Sequence, residues 1–490
     1  MSSPFLSRAR NQTDRRRADL PTDLPPNAGR AAMGIAIVLV AQLMLILDAM
    51  VVTVALPRIA VDLSFGPAAL SWVLNGYTLA FGGLLLLGGR IGDVFGRRRT
   101  FAVGLAVFTL FSLAGGLAPT AGLLVAARAL QGVGAALAAP QVLALLTTSA
   151  PDEAARNRAL ALFSAVTSGG ATVGLILGGI LTDAGSWRWT LFINVPIGLA
   201  VLALVGRYVD ETARRPGRFD VVGAVTATGG AVAVVWALIG APDHGWGSAR
   251  TVGGLVVGAL LIGAFVLTER RVAHPLLRLA LFRSHRRVAA LALIPAIVGA
   301  QFSMFFLLTQ YVEIQLGYGP LTTGVAFLPL TIGIFAMSRL TPRLLSRFGA
   351  PPLMVVGSVG AILSFVWLSE LGSTSSYAAA ILGPMLLNGL SAGLVFMPST
   401  ALVLGGVEPE HAGAASGLLQ TMQQLGGAVG LAVIASVYAA NAVPDRFMPG
   451  VHQAFLAAAV LAGLALVSAL TLVVRRPSYA AAPAAAPEAD

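Results

Sequence analysis

The chain has 490 residues, of which 57% are hydrophobic and only 11% are charged. Soluble domains carry about 25% charged residues, so this composition excludes a large soluble domain and predicts an all-α polytopic membrane protein. The absence of cysteine excludes disulfides, iron–sulfur clusters and thiol nucleophiles. The five scattered histidines form no helical pair that would hold a metal ion.

The apolar runs of the chain predict its membrane spans. Residues 1–30 are polar and rich in arginine and proline, which predicts a disordered cytoplasmic tail. A span needs about 20 apolar residues, and the chain offers fourteen such runs. They are 33–57, 70–90, 100–118, 122–146, 157–182, 190–208, 220–240, 250–268, 287–311, 322–341, 353–371, 377–402, 413–438 and 453–474. A second disordered tail is predicted at 477–490.

The net charge of +11 comes from arginine alone, because lysine is absent. Arginines cluster in alternate loops, and loops rich in positive charge face the cytoplasm. This alternation predicts an even number of spans with both termini in the cytoplasm. The basic charge is therefore a topology signal, and nucleic acid is not an expected partner.

The two ends of the chain repeat each other. Gly66–Pro67 corresponds to Gly319–Pro320, and Phe95–Gly96 to Phe348–Gly349, both at an offset of 253 residues. The repeat predicts two parallel six-helix bundles at 31–210 and 276–476, with two inserted helices at 211–275. Parallel halves around a central cavity are typical of secondary transporters that work by rocking.

One carboxylate, Asp48, lies in the middle of the first span. A charged group at this depth costs about 2.5–3.5 kcal/mol on insertion scales, so Asp48 is a candidate proton-coupling residue. The alternative is a buried acid that only hydrogen-bonds a neighbouring helix. The repeat places Gln301 opposite Asp48, and a site that needed only a hydrogen bond could use an amide in both halves.

A loop between the second and third spans has a distinctive spacing of glycine and charge. Glycines permit a tight turn, and a carboxylate can interact with a helix N-terminus or an arginine. The alternative is an ordinary positive loop. The candidate conformational residues are Gly89, Asp93, Gly96, Arg97 and Arg98.

This loop resembles the signature of the major facilitator superfamily. The Leu-Asp-x-x-Val-Val-x-Val-Ala-Leu-Pro run around Asp48 is similar to the first span of its fourteen-helix drug:proton antiporters. Similarity extends to Ser71–Tyr77, Trp187–Gly198 and His411–Gly417. The resemblance implies a major facilitator fold and proton-driven export of drugs or antibiotics.

Two further segments are interpreted through this resemblance. Arg128 in the fourth span resembles an arginine implicated in proton handling; the alternative is a side chain that snorkels to the interface. The run containing Gly170, Gly174, Gly178 and Gly179 resembles the antiporter motif, although Leu175 stands where the family has proline. Glycines four residues apart also serve simple helix packing.

Polar and aromatic residues within the spans are candidates for a substrate cavity. Each polar residue could instead make an interhelical hydrogen bond worth about 0.6 kcal/mol, and the aromatic ring of Phe305 could instead face lipid. The candidates are Asn75, Tyr77, Gln131, Gln301, Phe305, Asn388 and Gln424. Glu313, at the outer end of the ninth span, is expected to be solvated.

We therefore expect a proton-coupled exporter of amphipathic compounds in a bacterial cytoplasmic membrane. No cofactor is expected, because there is no nucleotide-binding loop and the proton gradient supplies the energy. The expected partners are lipid, protons and an amphipathic small molecule, with no obligate protein partner and no enzymatic activity. The alternatives are an exporter dedicated to one endogenous compound, an importer, or a membrane receptor that transports nothing.

Overall fold

The structure is a computed structural model that describes residues 28–66, 69–148, 152–212, 214, 220–272, 282, 284–373, 375–405, 412–442 and 449–474. These residues are nearly all helical and contain no strand. The predicted tail at 1–30 overlaps the first helix, which already begins at Ala28. The rest of that tail and the tail at 477–490 lie outside the described residues.

The helices follow one another with short connections. They are α1 (Ala28–Asp62), α2 (Trp72–Phe95), α3 (Arg97–Gly116), α4 (Ala121–Thr148), α5 (Glu153–Ala184), α6 (Trp189–Phe192), α7 (Asn194–Tyr208), α8 (Val221–His244), α9 (Ala249–Arg271), α10 (His285–Gln310), α11 (Pro320–Ala326), α12 (Leu328–Phe348), α13 (Ala350–Ser369), α14 (Tyr377–Ala380), α15 (Leu382–Leu404), α16 (Ala412–Ala440) and α17 (Val451–Val474). A 3-10 turn at Ala69–Ser71 precedes α2, and a π-helical turn at Tyr311–Gln315 follows α10.

The predicted spans are present as helices. Within the described residues, thirteen segments are long and apolar enough to cross a membrane. The fifth predicted span is α5, a 32-residue helix that contains a shorter apolar stretch, Val173–Ala184. Together these helices account for the fourteen predicted spans.

Three spans that the sequence predicts as single helices are broken near one end. Each break comes just before a proline: Pro196 follows the α6–α7 break, Pro329 the α11–α12 break, and Pro384 the α14–α15 break. Proline has no backbone N–H to donate to the preceding turn. The helical hydrogen-bond pattern is therefore interrupted there, although Ile193, Phe327 and Ile381 keep right-handed helical torsion angles.

Helices α1–α7 pack against one another as a first group, and α10–α17 form a second group. Glycines bring the helix backbones close together in both groups. A Cβ on Gly88 of α2 would collide with the carbonyl of Ala136 in α4, and a Cβ on Gly299 of α10 would lie 2.8 Å from the Cα of Gly430 in α16. Such close backbone approach is typical of helix packing in membranes.

The helix α8 contacts both groups. Val235 of α8 forms a buried cluster with Leu79 of α2, in the first group, and Ala432 of α16, in the second. The hydroxyl of Ser436 in α16 also donates a hydrogen bond to the carbonyl of Leu238 in α8. Thus α8 lies across the line where α2 meets α16.

The helix α9 packs on α8 and faces away from the rest of the protein. Gly258 of α9 lies against the carbonyl of Gly230 in α8. Only 11% of the apolar window of α9 is buried within the protein. The remaining surface is suited to contact lipid.

The two ends of the helical bundle differ in charge. We call the end that carries Arg97–Arg99, Arg343 and Arg347 the arginine-rich side, and the other the opposite side. On the opposite side an ion pair joins the end of α1 to the turn before α6. Asp62 lies 2.6 Å from a guanidinium nitrogen of Arg188 and accepts a 2.8 Å hydrogen bond from the Trp187 indole.

Candidate functional site

The two isolated charges of the first group form a buried ion pair. Nη1 of Arg128 in α4 lies 2.6 Å from Oδ2 of Asp48 in α1. The two side chains are 1% and 0% exposed. Burial at this depth strengthens the attraction between the charges but removes their hydration, so the pair needs further hydrogen bonds to be stable. The alternative that Arg128 snorkels to the interface is wrong.

Those further hydrogen bonds come from buried polar side chains on α4 itself and on one more helix, α7. Gln131 donates from Nε2 to Oδ1 of Asp48 at 2.8 Å and accepts from Arg128 at 2.7 Å. Asn194 at the start of α7 donates to Oδ1 of Asp48 at 2.8 Å and to the Ser112 hydroxyl at 2.9 Å. The carboxylate therefore accepts three hydrogen bonds in total, supplied from α4 and α7.

The guanidinium group of Arg128 has partners on α2 as well. Its Nε donates to the carbonyl of Val73 at 3.2 Å. Its central carbon lies 4.5 Å from the centre of the Tyr77 ring, an arrangement that stabilises a cation. A proton or a cationic ligand that binds Asp48 must therefore compete with Arg128, which these contacts hold in place.

The predicted cavity residues fall into three sets. Tyr77 and Gln131 belong to the ion-pair network and are buried. Asn75, Gln301 and Asn388 have buried amide atoms without hydrogen-bond partners among the described residues. These atoms are both amide atoms of Asn75, Nε2 of Gln301 and Nδ2 of Asn388.

The remaining two candidates lie on half-buried surfaces of α10 and α16. The Phe305 ring stacks on Phe327 with centroids 5.2 Å apart. Gln424 lies against α2, where a Cβ on Gly82 would collide with it. Gln424 therefore lies where the two groups meet.

The glycine motif of α5 faces two different neighbours. A Cβ on Gly170 would lie 3.1 Å from Ile46, and one on Gly178 2.8 Å from Val51, so these glycines pack against the segment of α1 that carries Asp48. Gly174 does the same, against Met50. The motif thus brings α5 close to the residues of α1 that precede and follow Asp48.

Gly179 is different, because it faces the second group. A Cβ there would lie 2.6 Å from the Cα of Leu321 in α11. One turn earlier, the carbonyl of Leu175 lies against Gly324 of α11, where a Cβ would collide with it. We call this contact between α5 and α11 the α5–α11 seam. It lies toward the opposite side, since both helices reach that end there.

Leu175, which replaces the proline of the family motif, leaves α5 without a break. The helix is continuous from Glu153 to Ala184, so no proline kink separates the Asp48-facing part from the seam. Leu175 itself is 2% exposed.

The predicted loop forms a compact structure on the arginine-rich side. Asp93 and Arg97 make a 2.8 Å ion pair one helical turn apart. Gly96 has φ +105° and the corresponding Gly349 has φ +76°, a conformation that favours glycine. The same backbone turn therefore joins the second and third spans of both repeats. A Cβ on Gly89 would meet only Pro140, at 3.6 Å.

The start of α3 is capped by Glu211, a residue from beyond the end of α7. Its carboxylate accepts hydrogen bonds from the backbone N–H groups of Arg98 at 3.0 Å and Arg99 at 3.2 Å. A Cβ on Gly96 would lie 2.7 Å from that carboxylate carbon. The glycine thus makes room for the cap, which links α3 to the segment after α7.

Replacing Glu211 with alanine is expected to destabilise the protein by about 0.5–2 kcal/mol, the usual range for loss of a helix cap. Thermal unfolding in detergent measures this as a lower midpoint. The neighbouring Asp210→Ala is the control, because the Asp210 side chain is 83% exposed and its ion pair with Arg30 lies on the surface. Equal midpoints for the two variants would contradict the capping role.

Sequence reasoning missed several residues of the site. Asn194 and Ser112 complete the Asp48 network, yet neutral polar side chains are common in spans and give little signal. Glu211 lies in a polar connecting segment, where an acid is unremarkable. The available signal for Asn194 and Ser112 was their position within apolar segments, without a partner nearby in sequence.

The sequence profile described as Major Facilitator Superfamily matches residues 38–431. The chain is 42% identical over 410 residues to the puromycin resistance protein pur8 of Streptomyces alboniger, covering 82% of this chain and 81% of that protein. It is 43% identical over 403 residues to the cephamycin export protein CmcT of Amycolatopsis lactamdurans, covering 81% and 83%.

Solved structures share the fold at low sequence identity. An auto-inhibited POT family peptide transporter matches with a TM-score of 0.67 and 16% identity, over 92% of this chain and 99% of that one. The nucleoside transporter NupG matches with a TM-score of 0.60 and 14% identity, over 91% and 98%. The predicted resemblance is confirmed, and the chain belongs to the Major Facilitator Superfamily.

Proposed function

We propose that this protein is a proton-coupled exporter of amphipathic drugs or antibiotics that works by alternating access. The observation that carries this proposal is the buried Asp48–Arg128 pair with its ring of hydrogen bonds. Ionisable residues within spans mark ion and proton pathways. The names of the two relatives, a puromycin resistance protein and a cephamycin export protein, support export of such compounds.

The proposed orientation places the arginine-rich side in the cytoplasm of a bacterial cell, with both termini there. The support is the positive-inside rule, applied to the alternating arginine-rich loops. The opposite side, with the Asp62–Arg188 pair and the α5–α11 seam, then faces the exterior. In this orientation the structure represents a state whose exterior end is closed at the seam.

In the proposed cycle a proton from the exterior binds Asp48 and weakens its pairing with Arg128. Protonation removes one charge of the pair, so Arg128 loses its counter-ion and the interactions that hold α1 against α4 change. The two bundles predicted at 31–210 and 276–476 then rock against each other. The exchange needs no cofactor, because the proton gradient drives it.

The substrate is proposed to bind between the bundles. The buried polar atoms of Asn75, Gln301 and Asn388 that lack hydrogen-bond partners support this placement. Buried polar groups are rarely left unpaired, so these atoms are suited to bind a ligand or water. The Phe305 surface and Gln424 would add apolar and polar contacts.

The test is Asp48→Asn. We expect gradient-driven efflux of a fluorescent amphipathic cation from energised vesicles to fall to the level of vesicles without the protein. The amide is similar in size to the carboxylate but cannot exchange a proton. Asp62→Asn is the matched control, because it removes an acid from the end of the same helix outside the network. Persistence of proton-dependent efflux in Asp48→Asn would contradict the proposal.

A further inference from the structure

Glu313 lies in the π-helical turn that follows α10, on the opposite side of the protein. Its Oε1 atom is buried and has no hydrogen-bond partner among the described residues. Glu313 as a whole is half-buried, so the expectation from sequence that this carboxyl is solvated is wrong for one of its two oxygens. π-Helical turns are rare and occur frequently at functional sites. This turn holds Glu313, an acid of the second group, where water does not reach one of the carboxylate oxygens.

The charged groups that face Glu313 belong to the first group. They are Arg58 near the end of α1 and Asp183 near the end of α5. Asp183 also lies beside the start of α11, since a Cβ on Gly319 would lie 3.6 Å from its Oδ1. On Glu313's own turn, the hydroxyl of Tyr311 is occupied as the donor to the Gly372 carbonyl at 2.7 Å. Glu313 therefore lies where the two groups meet.

Neither facing charge fully compensates an ionised Glu313. Arg58 is exposed, so solvent screens its attraction for the carboxylate. Asp183 carries the same charge as Glu313 and repels it. An ionised carboxylate with a buried, unpartnered oxygen is costly, whereas a neutral carboxyl is much less so.

The closed α5–α11 seam lies in the same region. Gly179 and Leu175 of α5 touch Leu321 and Gly324 of α11, and Asp183 is the next turn of α5. Separation of the seam would open the space between Asp183 and the start of α11 and let water reach Glu313. Closing the seam would remove that water again.

We propose that Glu313 is a second proton-binding site, which must take up a proton from the opposite side before the α5–α11 seam can close. The proton comes from water on that side and binds the carboxylate, so the group is neutral when the seam buries it. This inference rests on the proposed proton-coupled exchange. It makes closure of the exterior end, and hence the return of the empty carrier, depend on an external proton.

The test uses the absence of cysteine in this chain. Thr182 lies two helical turns beyond Leu175, on the same face of α5, and is 6% exposed, so Thr182→Cys introduces a single small thiol beside the seam. Cells expressing this variant are treated with a membrane-impermeant maleimide at a series of external pH values. The labelling rate measures how often the seam opens to the exterior.

Glu313→Gln is compared with Glu370→Gln, both made in the Thr182→Cys protein. Glu370 is an exposed acid that follows α13 on the same side. The ratio of their labelling rates at each pH cancels the pH dependence of the thiol itself. We expect several-fold slower labelling of Glu313→Gln at alkaline pH and equal rates at acidic pH, because the amide is always neutral. Glu313→Asp should behave like the control.

A ratio that stays at one over the whole pH range would overturn the proposal, as would slow labelling of Glu313→Asp at alkaline pH. The proposed function is tested separately by adding Asp48→Asn to the Thr182→Cys protein. We expect this variant to lose efflux. The pH-dependent difference in labelling rate between Glu313→Gln and Glu370→Gln should remain when Asp48→Asn is present. Failure of the Thr182→Cys protein to export in response to a proton gradient would instead count against the proposed function.

Discussion

Replacing Arg128 with leucine is expected to destabilise the protein by about 3–5 kcal/mol, the usual cost of breaking a buried ion pair from one side. Leucine leaves the Asp48 carboxylate, which is 0% exposed, without its positive partner. The hydrogen bonds from Gln131 and Asn194 remain but do not neutralise the charge. Thermal unfolding in detergent measures the loss, and efflux should be absent.

The double variant Asp48→Asn with Arg128→Leu separates the cost of an unpaired buried charge from the cost of losing the packing contacts of Arg128. With both charges removed, we expect a large part of the lost stability to return, while efflux stays absent. Arg250→Leu is the control, since Arg250 is exposed and its contacts, stacking on Trp236 at 4.6 Å and a hydrogen-bond contact with His244 at 2.5 Å, lie on the surface. If the single and double variants unfolded at the same temperature, the two residues would not be energetically coupled.

Replacing Gly324 with leucine is expected to abolish transport by holding the α5–α11 seam apart. A Cβ at this position would already collide with the Leu175 carbonyl, and helix backbones yield little to such a contact. Added bulk in a packed contact costs about 1–3 kcal/mol, all of it in the closed state. The seam should therefore favour the open arrangement, and Thr182→Cys should be labelled faster from the exterior.

The control is Gly263→Leu in α9, where an added Cβ meets no atom within 4 Å. This variant should transport at the rate of the unmodified protein. Transport at an unchanged rate by Gly324→Leu as well would show that the seam does not need to close during the cycle.

The fold could be predicted largely from the sequence, because apolar length alone specifies a membrane helix. The breaks at Ile193, Phe327 and Ile381 could not, since a proline near a helix start is also compatible with an unbroken helix that is only kinked. Their positions depend on how each span packs in three dimensions.

The central pair was predictable in part. Asp48 and Arg128 are noticeable as lone charges in apolar segments, but the rotation of α1 and α4 that brings them within 2.6 Å depends on packing. For the same reason the sequence could not show that Tyr77 and Gln131, predicted as cavity residues, contact the ion pair. The roles proposed for these residues stay predictions.

Glu313 shows a different limit. From sequence it lies at the end of a span, where water is expected, whereas in the structure its Oε1 is buried and charged residues of α1 and α5, both in the other group, lie near it. A contact between residues far apart in the chain cannot be predicted from one sequence without co-variation. Gly179 has the same difficulty, because its neighbour in α11 belongs to the second group.

The position of α8 has a mechanical consequence. Val235 lies in one buried apolar cluster with Leu79 and Ala432, so separation of α2 from α16 would expose apolar surface on α8. Rotation about an axis near α8 keeps both contacts and costs less. The contact between α2 and α16 is thus suited to act as a hinge. Among the described residues, no helix bridges the α5–α11 seam as α8 bridges α2 and α16, so the seam is suited to be the edge that opens.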